Sequence, residues 1–287
     1  MKAIWGILLL LLPGALVAAD HMEVRGQRMY VDKNKGSLVI EEKVEAQHKA
    51  KGIKLWAELL EILRDTTSDE VVYARAYGKV RVTRNQEYAF FEEGIFEKHL
   101  DLATLTGHLI IGDQEVRIEG HEARYDLRTN IGKVTPLPGE RVAFSMVHSN
   151  PEHPEERHLV TGTAGEVLVY EKLNKMVLQG GVVAHDSYDD SNFKAERIVA
   201  FLDAKRELEE MTAVGSFEMT QPGRWSIADR AVLEYGPQIV TLLSHARVRQ
   251  TEEGEVTGDR IEMHMDASKG FLKGKRQTPL RLEIPVK

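Results

Sequence analysis

Clustered histidines and carboxylates are the first candidates for chemistry in this sequence. Histidine nitrogens and carboxylate oxygens are good zinc ligands. The five-residue spacing of the histidines matches no helical or hairpin ligand pattern, however, and two prolines and many charges lie among them. A solvated loop is therefore favoured over a zinc site. The group consists of His148, His153, His158, Glu152, Glu155 and Glu156.

A second acidic group, Asp186, Asp189 and Asp190, has the residue types of a calcium site or of a glycosidase carboxylate pair. It falls in a predicted turn and lacks the spacing of a calcium loop. The chain has no cysteine, which excludes thiolate nucleophiles and cysteine-based zinc sites. No Gly-x-Ser-x-Gly elbow, P-loop or dinucleotide fingerprint is present. We therefore expect no enzyme, no metal and no cofactor.

The composition is that of an ordinary globular protein. The chain has 287 residues, of which 42% are hydrophobic and 29% charged, enough for one large domain or two medium ones. The net charge of −7 is unfavourable for binding a phosphate backbone. Nucleic acid is therefore not expected as a partner.

The elements that carry these residues are predicted from a recurring phrase: a small residue, a polar residue and then alternating apolar residues. Clear copies begin at Ala195, Ala228 and Gly258, in steps of 33 and 30 residues. Alternation with a period of two is typical of β-strands with one buried face. A regular step of this length indicates a structural repeat. Weaker copies begin at Gly26, Ala57, Gly120 and Gly162.

A Gly-x-apolar phrase occurs in the second strand of most cycles. Glycine inside a strand pattern marks a bulge or a bend, so long strands are predicted to turn a corner there. We predict about sixteen strands in eight hairpin-like cycles. These glycines are Gly78, Gly107, Gly180 and Gly215.

The segment 53–64 is the one place where helical spacing competes with strand spacing. A strand is predicted because Ala57 falls in phase with the repeat. Glu58, Leu60 and Ile62 are then expected on one face.

The N-terminus has the pattern of a secretory signal peptide. Lys2 precedes an apolar stretch, which is followed by Pro13 and several small residues. We predict a signal peptide at 1–19, cleaved after Ala19, and a mature protein in the periplasm. An uncleaved inner-membrane anchor is the alternative, because the stretch is at the short end of the ~17–25 residues that span a bilayer.

The segment 145–158 contains two prolines and no periodic apolar residues, as expected for a linker or a long surface loop. Four cycles lie on each side of it. We predict a first β unit at 20–146, a linker at 147–158 and a second β unit at 159–287.

Two copies of the repeat resemble a known family, the OstA-like (LptA/LptC-type) periplasmic proteins of lipopolysaccharide transport. The resemblance rests on Ile227–Ala231, on Val256–Ile261 and on the strand–corner–strand segment between them, with His245 where a Gly-Asn pair is commoner. It is specific over about 159–275. Over 22–144 it is looser.

The resemblance implies an all-β fold: a tandem, V-shaped β-jelly roll whose two stacked sheets enclose an apolar groove. It implies that lipopolysaccharide acyl chains lie in the groove and that the terminal strands pair end to end. The predicted function is a periplasmic bridge that carries lipopolysaccharide from the inner to the outer membrane. The alternative within the same pathway is an inner-membrane-anchored, LptC-like component.

The groove would be lined by alternating apolar residues of the strands, among them methionines that adapt to flexible chains. A plain packed core remains the alternative for each of these residues. The predicted lining consists of Val167, Val169, Ile198, Leu202, Leu233, Tyr235, Ile261, Met263 and Met265.

Short alternating segments near both termini are predicted to form open strand edges, to which a neighbour can add a strand. Their apolar residues are Val24, Leu280, Leu282 and Ile284. The expected partners are lipopolysaccharide, the inner- and outer-membrane transport components and a head-to-tail copy of the chain. A carbohydrate-active enzyme and a structural envelope repeat are alternatives from other classes. The acidic residues recur once per cycle, however, as a repeat element does, and do not point to one cleft.

Overall fold

The computed structural model describes residues 22–68, 70–150, 153, 155–251, 254–266, 272–274 and 281–283. The predicted signal peptide, Leu280 and Ile284 lie outside these residues. The described part is almost entirely β-strand, with short 3₁₀ turns at Lys49–Lys51, Lys98–Leu100 and Glu171–Leu173. Within these ranges, no helix is both long and apolar enough to cross a bilayer.

The first compact unit comprises residues 22–142 and 168–173. Its strands form an antiparallel ladder in which β3 to β9 pair in chain order, and both β1 and β2 lie along the free side of β3. The strands are β1 (Met22–Arg25), β2 (Arg28–Asp32), β3 (Ser37–His48), β4 (Ile53–Arg64), β5 (Val71–Arg84), β6 (Glu87–Glu97), β7 (Leu102–Gly112), β8 (Val116–Asp126) and β9 (Ile131–Thr135).

The second compact unit comprises residues 143–167 and the described residues from 174 onward. Here β11 pairs with β13, β13 to β18 pair in chain order, and β19 and β20 both lie along β18. The remaining strands are β10 (Val142–Ser149), β11 (Arg157–Ala164), β12 (Glu166–Tyr170), β13 (Lys175–Asp186), β14 (Ser191–Leu202), β15 (Leu208–Gln221), β16 (Arg224–Glu234), β17 (Ile239–Gln250), β18 (Gly254–His264), β19 (Leu272–Gly274) and β20 (Arg281–Glu283).

The predicted all-β, jelly-roll class is confirmed, and the ambiguous segment 53–64 is strand β4 as predicted. The described part of the chain contains twenty strands where about sixteen were expected. The difference arises partly because the strand beside β3 is broken into β1 and β2, and the strand beside β18 into β19 and β20.

The predicted linker at 147–158 is shorter in the structure, because β10 extends to Ser149 and β11 begins at Arg157. The backbone N–H of Asn150 donates to the carbonyl of Glu156 at 3.2 Å and closes the turn between them. Alternate residues of β10 are buried, a strand signal that the nearby prolines and charges obscured. The compact units divide between 142 and 143, not at the predicted boundaries.

The long strands bend at corners where the pairing register shifts, and the predicted role of the Gly-x phrase is confirmed. Gly215 has φ of 83° and Ser216 has φ of 48°, a left-handed backbone that glycine adopts without strain. Glu196, from the small-acidic phrase on β14, lies over this glycine. A Cβ at Gly215 would lie 2.5 Å from the Glu196 carboxylate, so the two phrases fit together as one corner.

Each corner also changes which residues of a strand point inward. In β14, Phe193 and Ala195 are buried before the corner, and Ile198 and Ala200 after it. The same change in β4 makes Glu58 exposed while Leu60 is buried. The prediction that Glu58 shares a face with Leu60 and Ile62 is therefore wrong, because the bulge adds a residue to the alternation.

In the second unit the corners divide β13–β18 into two half-sheets that face each other. The Ser226 hydroxyl of one lies 3.8 Å from the Met263 sulfur of the other, and both inner faces are buried. Half-sheet A contains residues 175–179, 197–202, 208–214, 230–234, 239–243 and 260–264; half-sheet B contains 182–186, 191–195, 217–221, 224–228, 246–250 and 254–258.

Candidate functional site

The predicted groove residues are all buried, each with 4% or less of its surface exposed. Eight of them lie in the second unit. Val169 belongs to the segment 168–173, which packs with the first unit, so the structure does not place it in one unit with the others.

Cross-strand pairing arranges the half-sheet A residues in rows on one face. One row joins Ile198 to Ile261, and the next joins Leu233 to Met263 through Val240. Neighbours on the same face of a ladder lie about 5 Å apart, so these rows form one continuous apolar surface. Leu202, Tyr235 and Met265 lie beside it, at the strand ends.

The opposing inner face of half-sheet B was missed by sequence reasoning. It is largely apolar and mostly buried, with Gln250 and Gly258 half-buried. The alternation before each corner was the signal that marks it. Its larger members are Phe193, Phe217, Met219, Val248 and Val256.

The inner face of the first unit differs because it is exposed at the start of its ladder. Met29 pairs with buried Ile40, and Val31 pairs with Leu38, so both β2 side chains lie on the inner face. Met29 is nevertheless 52% exposed and Val31 61% exposed. Apolar side chains on an inner face are normally covered by other residues, and these two are not. The inner face of the first unit is therefore open to solvent at β2.

A polar cluster joins the ends of the two half-sheets opposite the corners. Arg224, at the end of half-sheet B, donates through Nη2 to the carbonyls of His264 at 2.8 Å and Met265 at 2.7 Å, beyond half-sheet A. The Gln221 amide also donates to Met265, at 2.7 Å, and to the Asp189 carboxylate at 2.5 Å. These bonds connect strand ends of half-sheet B to strand ends of half-sheet A. Along each strand, those ends lie on opposite sides of a corner.

His148 lies in the same cluster, and the prediction that it belongs to a solvated loop is wrong. It is fully buried in β10, its Nε2 lies 2.9 Å from the Asp186 carboxylate, and its ring packs 4.4 Å from that of Tyr235. His158 is largely buried beside Tyr188. Of the three histidines, His153 is the one whose side chain is mostly exposed.

Burial sets the electrostatics of this cluster. It raises the pKa of the Asp189 carboxyl to about 6, and the nearby Asp186 charge adds to the effect. Burial also raises the pKa of Tyr235, which sits against the same two carboxylates, and lowers the pKa of Arg224. Each charged form is disfavoured because the site holds little water. The cluster therefore contains buried ionisable groups whose charged forms would be more stable in water.

The acidic group predicted from the sequence does not assemble into a metal site. Asp186 receives the backbone N–H of Tyr188 and Asp189 receives that of Ser191, as turn-forming aspartates do. Across the described ranges, no three histidines or carboxylates are arranged to hold an ion. A cleft on the outer side of half-sheet A is lined by Phe201, Glu209, Glu210, Glu234, Gly236 and Pro237, and its three carboxylates make it unsuitable for an anionic lipid.

The predicted assembly edges are at the two ends of the ladders as far as the structure describes them. Val24 in β1 pairs with Ala46 of β3, and Leu282 in β20 pairs with Val256 of β18. β4 occupies the other side of β3, and β17 the other side of β18.

Comparison with known proteins supports the resemblance. The family described as "LptA/(LptD N-terminal domain) LPS transport protein" matches residues 162–269, which include all of both half-sheets. These residues are similar in sequence to that family. The match falls where the repeat phrases are clearest, and it confirms the resemblance inferred from Ile227–Ala231 and Val256–Ile261.

Among solved structures, the chain is similar to LptH from Pseudomonas aeruginosa, described as the LptA-homologous periplasmic component of the lipopolysaccharide transport device. The identity is 14%, the similarity covers 42% of this chain and 86% of LptH, and the TM-score is 0.35. No curated protein matches the chain.

Proposed function

We propose that this protein is a periplasmic, non-enzymatic bridge that binds the acyl chains of lipopolysaccharide and passes them from the inner toward the outer membrane. The observation that carries the proposal is the LptA-like domain at 162–269, which has the two facing apolar half-sheets. A family of lipopolysaccharide transport proteins and an apolar interior of this extent fit the same ligand chemistry. An acyl chain gains about 0.8 kcal/mol for each methylene that leaves water.

The ends of the ladders support assembly into a bridge. β1 and β2 at one end and β19 and β20 at the other are short strands of three to five residues. Short edge strands accept a neighbouring strand through main-chain hydrogen bonds. A contact between two different ends is heterologous and produces rods, not closed dimers.

Site-specific photocrosslinking tests the ligand. A photoreactive residue at Leu233 or Met263, on the inner face, is expected to capture lipopolysaccharide in intact envelopes. Glu234 is the matched control, because it is the next residue on β16 and faces outward. Equal capture from Leu233 and Glu234, or none from either, would contradict lipid binding in the interior.

Light scattering across a dilution series tests the assembly. Head-to-tail association is expected to rise with concentration, and deletion of residues 278–287 is expected to abolish it without unfolding the protein. A wild-type chain that stays monomeric at high concentration, and from which crosslinking at Leu282 recovers no envelope partner, would contradict the bridge.

N-terminal sequencing separates the soluble bridge from an anchored component. A mature chain that begins at Asp20 and is released with the periplasmic fraction is expected. A chain that keeps Met1 and stays with membranes would assign the protein to the anchored role in the same pathway.

A further inference from the structure

The two half-sheets of the second unit can separate along one margin only. At the corners, each strand from β13 to β18 runs continuously from one half-sheet into the other. The opposite margin is closed by side-chain bonds between strand ends and not by a strand ladder. Arg224 and Gln221 reach across it to the carbonyl of Met265.

We propose that this margin is a latch, formed by Asp186, Asp189, Gln221, Arg224 and Tyr235 with the Met265 carbonyl, which must open before an acyl chain can reach the inner apolar face. The proposal rests on the proposed function, because each lining residue of this unit has 4% or less of its surface exposed in the closed arrangement. Tyr235 belongs to the latch, and the other seven lining residues of this unit are buried behind it.

The chemistry of the latch favours reversible opening. The hydrogen bonds of the latch join polar groups. When the margin opens, water can bond to these groups, so each lost protein hydrogen bond is replaced by one to water. Burial raises the pKa of Asp189 and lowers the pKa of Arg224, and both shifts favour the neutral form. Hydration on opening would favour their charged forms. His148 Nδ1, buried beside Tyr235, has no hydrogen-bond partner among the residues that the structure describes and would gain one from water.

Apolar contacts behind the latch would be replaced and not lost. The acyl chain would lie between Met263 on one half-sheet and the Ser226 region on the other, whose side chains now touch. Lipid binding then selects the open form, and the apparent affinity depends on how often the latch opens.

A reducible crosslink across the margin tests the latch, and the absence of native cysteine makes the linkage specific. Pro222→Cys and Pro237→Cys place thiols on exposed turns at the ends of half-sheets B and A. After reaction with a reducible bismaleimide, uptake of fluorescent lipopolysaccharide is expected to fall roughly tenfold or more, because the competent fraction falls. Reduction should restore it.

The matched control links Pro222→Cys to Thr251→Cys, two exposed turn positions at the same end of half-sheet B. Thr251 bonds to the neighbouring Gly223, so this crosslink does not span the margin and uptake should be unchanged. Wild-type uptake from the linked Pro222–Pro237 pair would overturn the latch and leave the proposed function standing. No uptake by the uncrosslinked wild-type protein would overturn both.

A weakened latch gives an independent result. Gln221→Ala removes the bonds to Asp189 and Met265 and is expected to speed uptake about threefold or more, through a larger open population. Thr220→Ala, one residue away and exposed, is the control and should leave the rate unchanged. A slower or unchanged rate in a folded Gln221→Ala protein contradicts the latch.

Discussion

The two units use the same bent antiparallel ladder but expose their inner faces differently. In the first unit the inner face is open at β2, where Met29 and Val31 are more than half exposed. In the second unit the apolar rows of β13–β18 are buried, and Arg224 and Gln221 bond across the margin. Two inner-face side chains of the first unit are thus open to solvent at its edge strand, whereas in the latch proposal the rows of the second become accessible when the half-sheets part.

This difference shows that the corner motif and the state of the interior are separate properties. Corners arise locally, where a small-acidic phrase on one strand meets a left-handed Gly-x or Ser-x on the next. Closure depends on what the strand ends carry. An arginine and two aspartates can close one unit, while a short edge strand leaves the other open at its first row.

The largest expected effect is on the buried row, from Met263→Asp. Met263 is buried, and an unpaired charge there is expected to cost about 4 kcal/mol or more in the free energy of unfolding. Val31→Asp, on the equivalent inner face but exposed, should change it by less than about 0.5 kcal/mol.

Urea unfolding followed by tryptophan fluorescence measures each unit when only its own tryptophan is retained, because Trp56 lies in the first unit and Trp225 in the second. If Met263→Asp stays as stable as wild type but loses lipid binding, the interior of the second unit is a hydrated groove and the contrast between the units disappears.

The second effect concerns the closure itself. Arg224→Met removes the bond to the carbonyl of His264 and one of the two bonds to the carbonyl of Met265, and is expected to lower the free energy of unfolding by about 2 kcal/mol. Arg249→Met is the control, because Arg249 is largely exposed and pairs with Glu255 at the surface, where ion pairs contribute about 0–1 kcal/mol. Equal losses of unfolding free energy in both variants would show that the Arg224 bonds across the margin stabilise the fold no more than a surface ion pair does.

Much of this fold could be predicted from the sequence, because strand alternation and the corner glycines are local signals. Ile198, Leu233 and Met263 were placed on the buried face by alternation alone. Glu58 was misplaced because the register change at a corner was not applied to β4.

The margin could not be predicted in the same way. His148, Asp186 and Tyr235 are separated by dozens of residues, and they meet only when the corners fold one half-sheet over the other. The charges and prolines after His148 indicated a solvated loop, and no local pattern shows that a histidine inside a polar stretch will be covered by a distant tyrosine.

The smallest expected effect is on the pH dependence of stability. It tests whether the buried Asp189 charge destabilises the closed latch. The folded-state pKa of Asp189 is about 6, above its ordinary value of 3.8. Well below pH 4 the carboxyl is protonated in both folded and unfolded states and contributes nothing. As the pH rises from about 4 to 6 the carboxyl ionises in the unfolded state but stays largely protonated in the folded state, so stability falls, and the loss is complete above the folded-state pKa.

Asp189→Asn should therefore match wild type near pH 3 and exceed it by about 2 kcal/mol at pH 7, after allowance for partial exposure. The asparagine, like the protonated carboxyl, keeps one acceptor oxygen, which can accept from the Ser191 N–H, and it loses the acceptor for the Gln221 amide. Asp186 and Arg224 are the charged groups that face Asp189, and both are unchanged in the variant. Asp190→Asn removes one exposed charge from the same turn. If it gives the same pH-dependent gain, the cost belongs to the net charge of the protein and not to the closed margin of the second unit.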